Sequence, residues 1–368
     1  MTASLNDKLK TVKWGKFKYK DVFNHIAQGR RLKKDDQKQG DIPFVMAGAT
    51  NTGVVNYISN PVASFPKNSI TVDIFGNTFY RDYAFGAGDD TGVYWNDKVT
   101  YSPNVMLFFA VAMQRSLLGK YSYGKKLRSS QSRNFSMYLP VTDEGAIDFA
   151  FMESFVAELE AERIAKLSAY LTVSGLDNYE LSKEEIQAID SFSKNSIPFS
   201  DFRFDDVFNN IKQGRRLKKG DQLPGHIPFV MSGITNTGVV GYISNPVAVF
   251  PANSITIDIF GNGFYRVYAF GAGDDTGVYW NDKAIYNEKV MLFFTTAMEK
   301  ALQGKFSYGK KLRSSQSHAY KMMLPVKAGK PDYQAMELLI SAIQKLVIKD
   351  VVRYADRKIE TAKEYVQQ

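Results

Sequence analysis

Cysteine is absent from the 368-residue sequence, so disulfides and thiolate chemistry are excluded and a secreted, stapled fold is not expected. Histidine occurs three times only. No run of about 18 apolar residues occurs, so no membrane-spanning helix is expected. The opening Met1-Thr2-Ala3-Ser4-Leu5-Asn6-Asp7 lacks the apolar core of a secretion signal, which makes a cytoplasmic setting the expectation. Hydrophobic residues nevertheless make up 44% of the chain and aromatics 14%, enough for packed cores and too much for global disorder. The length suggests two or three domains. The net charge of +9 is a weak pointer to nucleic acid until its distribution is known.

A duplication organises the chain. Phe17 to Pro140 realigns without a gap on Phe202 to Pro325 at an offset of 185, with about 90 of 124 positions identical. Three blocks are copied unchanged: Gly29 to Lys34 as Gly214 to Lys219, Gly86 to Trp95 as Gly271 to Trp280, and Tyr123 to Ser132 as Tyr308 to Ser317. Each copy reads as mostly β. Ser69 to Phe75 alternates and ends in Gly-Asn, and Gly and Pro punctuate at short intervals. Val105 to Leu118 is apolar on one face and predicts a helix.

Each copy is followed by a different kind of segment. Asp148 to Leu171 contains no Gly or Pro, and Met152, Phe155, Leu159, Ile164, Leu167 and Leu171 form a helical apolar stripe. Asp332 to about Gln367 carries a heptad-like seam of Met336, Ile340, Ile343, Val347 and Tyr354. Helices of this length span roughly 35–50 Å and are expected to pack on each other as a spacer. Ser174-Gly175 ends the first, and Ser182-Lys183-Glu184-Glu185 predicts a capping box for a short helix to about Phe192. Leu5 to Val12 stands in the equivalent place before the first copy. It is expected to pack on the C-terminal helix and complete the second half, the alternative being a frayed start.

The expected fold is therefore α+β: two duplicated β-rich globular domains separated by a long antiparallel helical pair, a coiled coil. The expected divisions are 1–16, an N-terminal segment packing on the spacer; 17–141, the first domain; 142–196, the helical spacer; 197–326, the second domain; and 327–368, the long helix. Charge follows these lines. Residues 17–140 hold 16 basic and 9 acidic side chains and residues 202–325 hold 15 and 9, so the positive field belongs to the domains.

Duplication also filters the chemistry, because a shared task needs its residues twice. His25, His226 and His318 face Asn210, Asp41 and Arg133, which argues against a histidine catalyst or metal site. The first domain has no Glu before Glu144, so paired-carboxylate catalysis would need Asp alone. Asp73, Asp89, Asp90 and Asp97 recur as Asp258, Asp274, Asp275 and Asp282. Asp89-Asp90 could hold a metal for a nuclease, but in Gly-Asp-Asp-Thr-Gly such a pair more often caps a turn. Gly86-Ala87-Gly88 has the wrong spacing for a dinucleotide loop. Gly119 to Lys126 ends in Lys where a Walker loop needs Ser or Thr, and its copy Gly304 to Lys311 fails alike.

The shared polar residues suit binding. Arg30, Arg31, Lys33 and Lys34 with Lys125, Lys126 and Arg128, and the copies Arg215, Arg216, Lys218, Lys219, Lys310, Lys311 and Arg313, are candidates for phosphate contacts. Ser129 and Ser130, with Ser314 and Ser315, can also bind phosphate oxygens, while Gln131 and the arginines of these clusters, with Thr50 and Asn51 and the copies Gln316, Thr235 and Asn236, are the candidates for base edges. The alternative for any one cluster is a solvated basic surface. A different class of function, a two-lobed carbohydrate- or small-ligand-binding protein, would use Tyr80, Tyr94 and Trp95 as a pocket, against which stands core packing of those rings.

Two like β-rich domains, each followed by a long helix, resemble the specificity subunit of type I restriction–modification systems. The resemblance rests on Phe17 to Phe23, Gly29 to Lys34, Ser69 to Phe75, Ser129 to Pro140 and Tyr170 to Leu176, and spans essentially the whole chain. It implies two target recognition domains, each reading half of a split double-stranded DNA site. It implies helices, the family's conserved regions, that fix the half-site spacing and dock two adenine methyltransferase subunits, here through Phe155, Leu159, Leu167, Ile340, Ile343 and Val347. It implies S-adenosylmethionine and catalysis in those partners, two motor and nuclease (restriction) subunits as further partners, and no catalytic residue, metal, cofactor or membrane contact in this chain. Because the two domains are nearly alike, the target is expected to be near-palindromic. Differences at Lys38-Gln39 against Leu223-Pro224, Asp41 against His226, Ala49 against Ile234, Thr78 against Gly263 and Asp82 against Val267 set its departures from symmetry.

Overall fold

The computed structural model describes residues 3–366, with no account of the side chains from 362 onward. Met1, Thr2, Gln367 and Gln368, included in the expected terminal segments, lie outside the described residues. The chain divides into two compact units, one formed by residues up to 169 together with those from 355 onward, the other by residues 170–354.

In the first unit, β1 (Trp14–Lys18) opens the domain and β10 (Ser136–Pro140) closes it, paired antiparallel from Trp14↔Pro140 to Lys18↔Ser136. Between them lie two four-stranded sheets. One contains β2 (His25–Gln28), β6 (Ser69–Asp73), β7 (Thr78–Arg81) and β9 (Thr91–Trp95), all antiparallel, in the order β2-β9-β6-β7. The other contains β3 (Gln39–Val45), β4 (Val54–Ile58), β5 (Ser64–Phe65) and β8 (Phe85–Ala87), in the order β4-β3-β8-β5, with β3 parallel to β8. β6 is buried along its whole length, so its alternation of Thr and aliphatic residues marks two covered faces. The expected strand over Ser69 to Phe75 stops at Asp73, whose carboxylate accepts the backbone N–H groups of Phe75 and Asn77 at 2.8 and 2.9 Å and turns the chain at Gly76.

The helix Pro103–Leu117 covers this sheet. Ser102 caps it by accepting from the Val105 N–H at 3.3 Å, and Pro103 occupies its first turn, where no backbone donor is needed. Its Val105, Met106, Phe109, Met113 and Leu117 are buried with Phe23, Ile70, Tyr94 and Met137. The second unit repeats the pattern: sheets built on Ser254–Asp258 and Pro224–Val230, the ribbon Phe199–Arg203 with Lys321–Lys327, and the helix Glu288–Leu302.

The two long helices run over Phe149–Val173 and Tyr333–Val366. Asp148 and Asp332 cap them through N–H groups of Phe151 and Ala335, at 2.8 and 3.0 Å. Gly175, with φ 63°, ends the first, and the Leu176 N–H reaches the Leu171 carbonyl at 2.8 Å. In the first unit, Lys358 of the last helix pairs with Glu160 of the first at 2.7 Å. The N-terminal helix Ala3–Thr11 packs in the same unit, with Leu5 buried and Lys8 paired to Glu158.

In the second unit the predicted capping box forms on Lys183–Ser193: Ser182 Oγ accepts from the Glu185 N–H at 3.2 Å and Glu185 Oε2 from the Ser182 N–H at 2.7 Å. Glu185 is buried, and Lys345 of the last helix donates to its Oε2 at 2.8 Å. Burial opposes the charge on Glu185, but Lys345, the Ser182 N–H and Ser341 together hold its carboxyl below the usual range. A depressed folded pKa stabilises above the unfolded value and loses that contribution as pH falls through the folded one. Glu185→Gln is therefore expected to flatten the acid limb of a stability–pH profile measured by urea unfolding, leaving the limb above neutrality parallel to the parent.

Candidate nucleic-acid interface

Three separate segments converge on one turn, Gly88-Asp89-Asp90, which joins β8 to β9. The basic loop after β2 is held by Gly29 N–H to the Thr91 carbonyl and Arg30 N–H to the Ala87 carbonyl, both at 2.9 Å. The 125–131 segment is held by Arg128, whose Nη1 donates to the Asp89 carbonyl. Gln28 links the two, donating to the same carbonyl at 3.0 Å and accepting from the Ser129 N–H at 2.8 Å. The 46–53 loop is held by the Asp90 carboxylate, which accepts from the Ala47 N–H at 3.0 Å. In the second unit Arg215, Gln213, Ser314, Arg313 and Ser232 make the same contacts around Asp274-Asp275.

This convergence needs a bare backbone at position 29. A Cβ on Gly29 would lie 2.2 Å from the Gly88 oxygen and 2.5 Å from the Ala87 oxygen. Neither backbone atom can swing away. Gly29→Ala is expected to cost about 2 kcal/mol and to loosen the basic loop, read as a lower urea midpoint and faster proteolysis near Arg30 and Arg31.

The 46–53 loop is strained. Asn51, Thr52 and Gly53 have φ of 47°, 51° and 85°, a left-handed run that two non-glycine residues enter at a cost. A buried guanidinium pins it. Arg81, at the end of β7, is 1% exposed; its Nε donates to Thr71 Oγ1 at 3.1 Å, Nη1 to Thr52 Oγ1 at 3.0 Å and to Tyr83 Oη at 2.9 Å, and Nη2 to the Thr52 carbonyl. Among the described residues no carboxylate pairs with it. Burial pulls its pKa down and Tyr83 opposes that pull. Arg266 repeats the arrangement with Thr256, Thr237 and Tyr268.

Between the basic loop and β4 lies a groove of about 620 Å³. Arg31, Lys33 and Lys34 form one side, Val55 and Asn56 the other, and Gly88-Asp89 lies between. Gln37 projects into it and donates no described hydrogen bond of its own; its Oε1 accepts from Asn56 at 3.1 Å. Leu32, Met46 and Val55 make part of its lining apolar and Asp89 adds one acidic side chain, and the three exposed cations leave an excess of positive charge suited to a polyanion.

Several candidate residues sit where expected and several do not. Arg30, Thr50, Asn51, Lys125, Lys126, Ser130 and Gln131 are exposed, as are their copies Arg215, Thr235, Asn236, Lys310, Lys311, Ser315 and Gln316. Asn51 commits its amide to the Val54 carbonyl at 3.1 Å, closing its own loop. Ser129 and Ser314 are buried at 4% exposure and cannot meet a base or phosphate; they terminate the strand-to-loop network. Arg128 and Arg313 each spend one Nη on a carbonyl, so they brace the turn as well as presenting charge. Lys125 and Lys126 flank a hairpin tip where Tyr123 is 83% exposed, with Lys126 Nζ 4.8 Å from its ring centre.

In the Asp89-Asp90 pair, the Asp90 carboxylate accepts the Ala47 N–H and the Asp89 carbonyl accepts from Gln28 and Arg128, as the turn alternative has it, and Asp73 accepts the N–H groups of Gly48, Phe75 and Asn77. Among the described residues no group of three or more His, Asp or Glu could hold a metal ion. Tyr94 is fully buried with its hydroxyl 2.8 Å from Ser132, which makes it a core ring, and Trp95 has one face stacked on His25. Thr78 is buried, which makes its exchange for Gly263 a packing difference. On the helices, Phe155 is buried against Phe108 and Phe151 and offers no surface to a partner. Leu159, Leu167 and Ile340 are partly covered, while Ile343 and Val347 are exposed at 49% and 74%.

The family model for the type I restriction modification DNA specificity domain matches twice, over residues 11–169 and 197–353. The chain belongs to that family. Each match takes in a whole copy of the convergent turn and its basic loop. A type II restriction enzyme specificity subunit, S.BcgI of Heyndrickxia coagulans, is 30% identical over 161 residues, which is 43% of this chain and 47% of that protein. The chain thus spans about half the length of the curated relative it matches. The crystal structure of a type I restriction–modification S subunit from M. genitalium superposes with a TM-score of 0.56 at 14% identity, covering 96% of this chain and 94% of that one, a likeness of fold. The α+β class with two sheet-rich domains and long helices is that of the family.

Proposed function

We propose that this chain is a non-catalytic, sequence-specific DNA-recognition subunit that reads a bipartite, near-palindromic double-stranded site and docks two adenine methyltransferase subunits. Those partners would bind S-adenosylmethionine and transfer the methyl group, and two motor and nuclease subunits would join through them, in the cytoplasm. The observation that carries this reading is the duplicated basic loop, braced on the same turn in both domains by the same contacts. Arg30, Arg31, Lys33 and Lys34, with Arg215, Arg216, Lys218 and Lys219, meet phosphates. Thr50, Gln131 and their copies Thr235 and Gln316 stand on exposed loops beside them and reach base edges. Ile343 and Val347 give the helices an apolar face for a partner.

The test is a gel-shift series on randomised duplex DNA, with and without a methyltransferase subunit of the same family. The expected result is salt-sensitive binding by the chain alone and a slower, sequence-selected complex with the partner. No shift under either condition would remove the reading. Within that assay, Gln131→Ala should cost roughly 1–3 kcal/mol at one base position and nothing elsewhere. A binding profile identical to the parent's would take Gln131 out of the readout.

A further inference from the structure

Of the ten residues that line the groove in the first domain, nine recur unchanged in the second, and Asn56 alone is replaced, by Gly241. The exchange changes what the neighbouring glutamine offers. Asn56 Oδ1 accepts from the Tyr57 backbone N–H at 2.9 Å, and an N–H can only donate, so the Asn56 amide is oriented without ambiguity. Its Nδ2 then donates to Gln37 Oε1 at 3.1 Å. One lone pair of the Gln37 carbonyl is thereby engaged, and both Nε2 hydrogens remain without a partner among the described residues. At Gly241 there is no side chain to do this. Gln222 turns the other way and gives its Nε2 to the Leu217 carbonyl, at a long 3.5 Å. A carbonyl can only accept, so here one Nε2 hydrogen is spent and the whole of Oε1 is left without a described partner.

We propose that Gln37 and Gln222 are specificity-determining residues that read opposite base chemistry at one equivalent position of the two half-sites. Gln37 presents a donor and favours the edges that offer acceptors alone, the O6 and N7 of guanine or the O4 of thymine, over adenine, whose N7 lies beside the N6 amine, and over cytosine, which offers only a donor. Gln222 presents an acceptor and selects a base-edge donor, the N4 amine of cytosine or the N6 amine of adenine. Asn56 touches no base in this scheme; it is a positioning residue that sets which end of Gln37 faces outward. The inference rests on the DNA-reading function proposed above and adds to it one defined asymmetry in an otherwise symmetric target.

The swap is sterically open in both directions. A Cβ built on Gly241 meets no atom within 4 Å, and its φ is not left-handed, so an asparagine fits there. The experiment is selection from randomised duplex DNA by the full chain together with a family adenine methyltransferase, using the parent, Asn56→Gly and Gly241→Asn. The parent is expected to select half-sites that differ at one equivalent position, guanine or thymine in one and cytosine or adenine in the other. Asn56→Gly should move the first of these toward cytosine or adenine, and Gly241→Asn the second toward guanine or thymine, each by roughly tenfold in preference. Either variant alone should make the selected motif more symmetric. A parent motif left unchanged by both variants overturns this inference and leaves the DNA-reading function standing. No selected motif from the parent overturns that function, and this inference with it.

Discussion

Replacing Arg81 with methionine will lower the stability of the first unit by about 3 kcal/mol and leave the second unit unaffected. The side chain is sealed from solvent and its four described hydrogen bonds go to neutral oxygens of Thr71, Thr52 and Tyr83. Methionine fills much of the volume but satisfies none of those oxygens. The Thr52 carbonyl and hydroxyl are then stranded inside a loop whose Asn51 and Thr52 already occupy the left-handed region. The loop is expected to relax, taking Thr50 and Asn51 out of register with the groove. Calorimetry should show two transitions, one shifted down by roughly 6–12 °C and one at the parent's temperature. Arg266→Met should exchange their places. A single unshifted transition in either variant would mean that the guanidinium is not what fixes the turn.

Changing Lys33, Lys34, Lys218 and Lys219 together to alanine will weaken DNA binding on the order of 100-fold near physiological salt and flatten the salt dependence by roughly 3 to 4 units of slope. All four are exposed on loops that the fold does not need for packing, so the folded protein should survive. The loss should be the same for the selected site and for unrelated DNA, because phosphates carry no sequence. That uniformity separates these lysines from Gln131, whose removal should act at one base position. An unchanged slope would show that the loops face solvent and not the duplex.

What could be read in the sequence was what local periodicity and chain-end chemistry encode. Ser182 announced its helix because a cap needs only the next three residues, the stripe from Met152 to Leu171 announced the first long helix, and Ser69 to Phe75 announced a strand because alternation spans a few positions. The Asp89-Asp90 turn was legible as a turn, but not as the point where three distant segments meet, since the partners Arg30, Ala47 and Arg128 come from three places in the chain. Arg81 carried no signal of its own in the sequence; its burial follows from the β6 pairing and the 46–53 loop closing over it. Ser129 looked like part of an exposed polar run, yet it is covered because Gln28 draws its backbone onto β2. Gln37 and Asn56 carry no motif; one precedes β3 and the other lies on β4, and only the folded loop before β3 brings them together. The one available signal was the Asn56-to-Gly241 exchange itself, indistinguishable from other differences until the groove gave it a place.

The most direct test of the central claim is methylome mapping of a host that expresses this chain with an adenine methyltransferase of the family. The account predicts modified adenines in one motif made of two similar short half-sites separated by unread bases, dependent on this chain. A single contiguous motif, two unrelated half-sites, or methylation that does not change when the chain is omitted would contradict it.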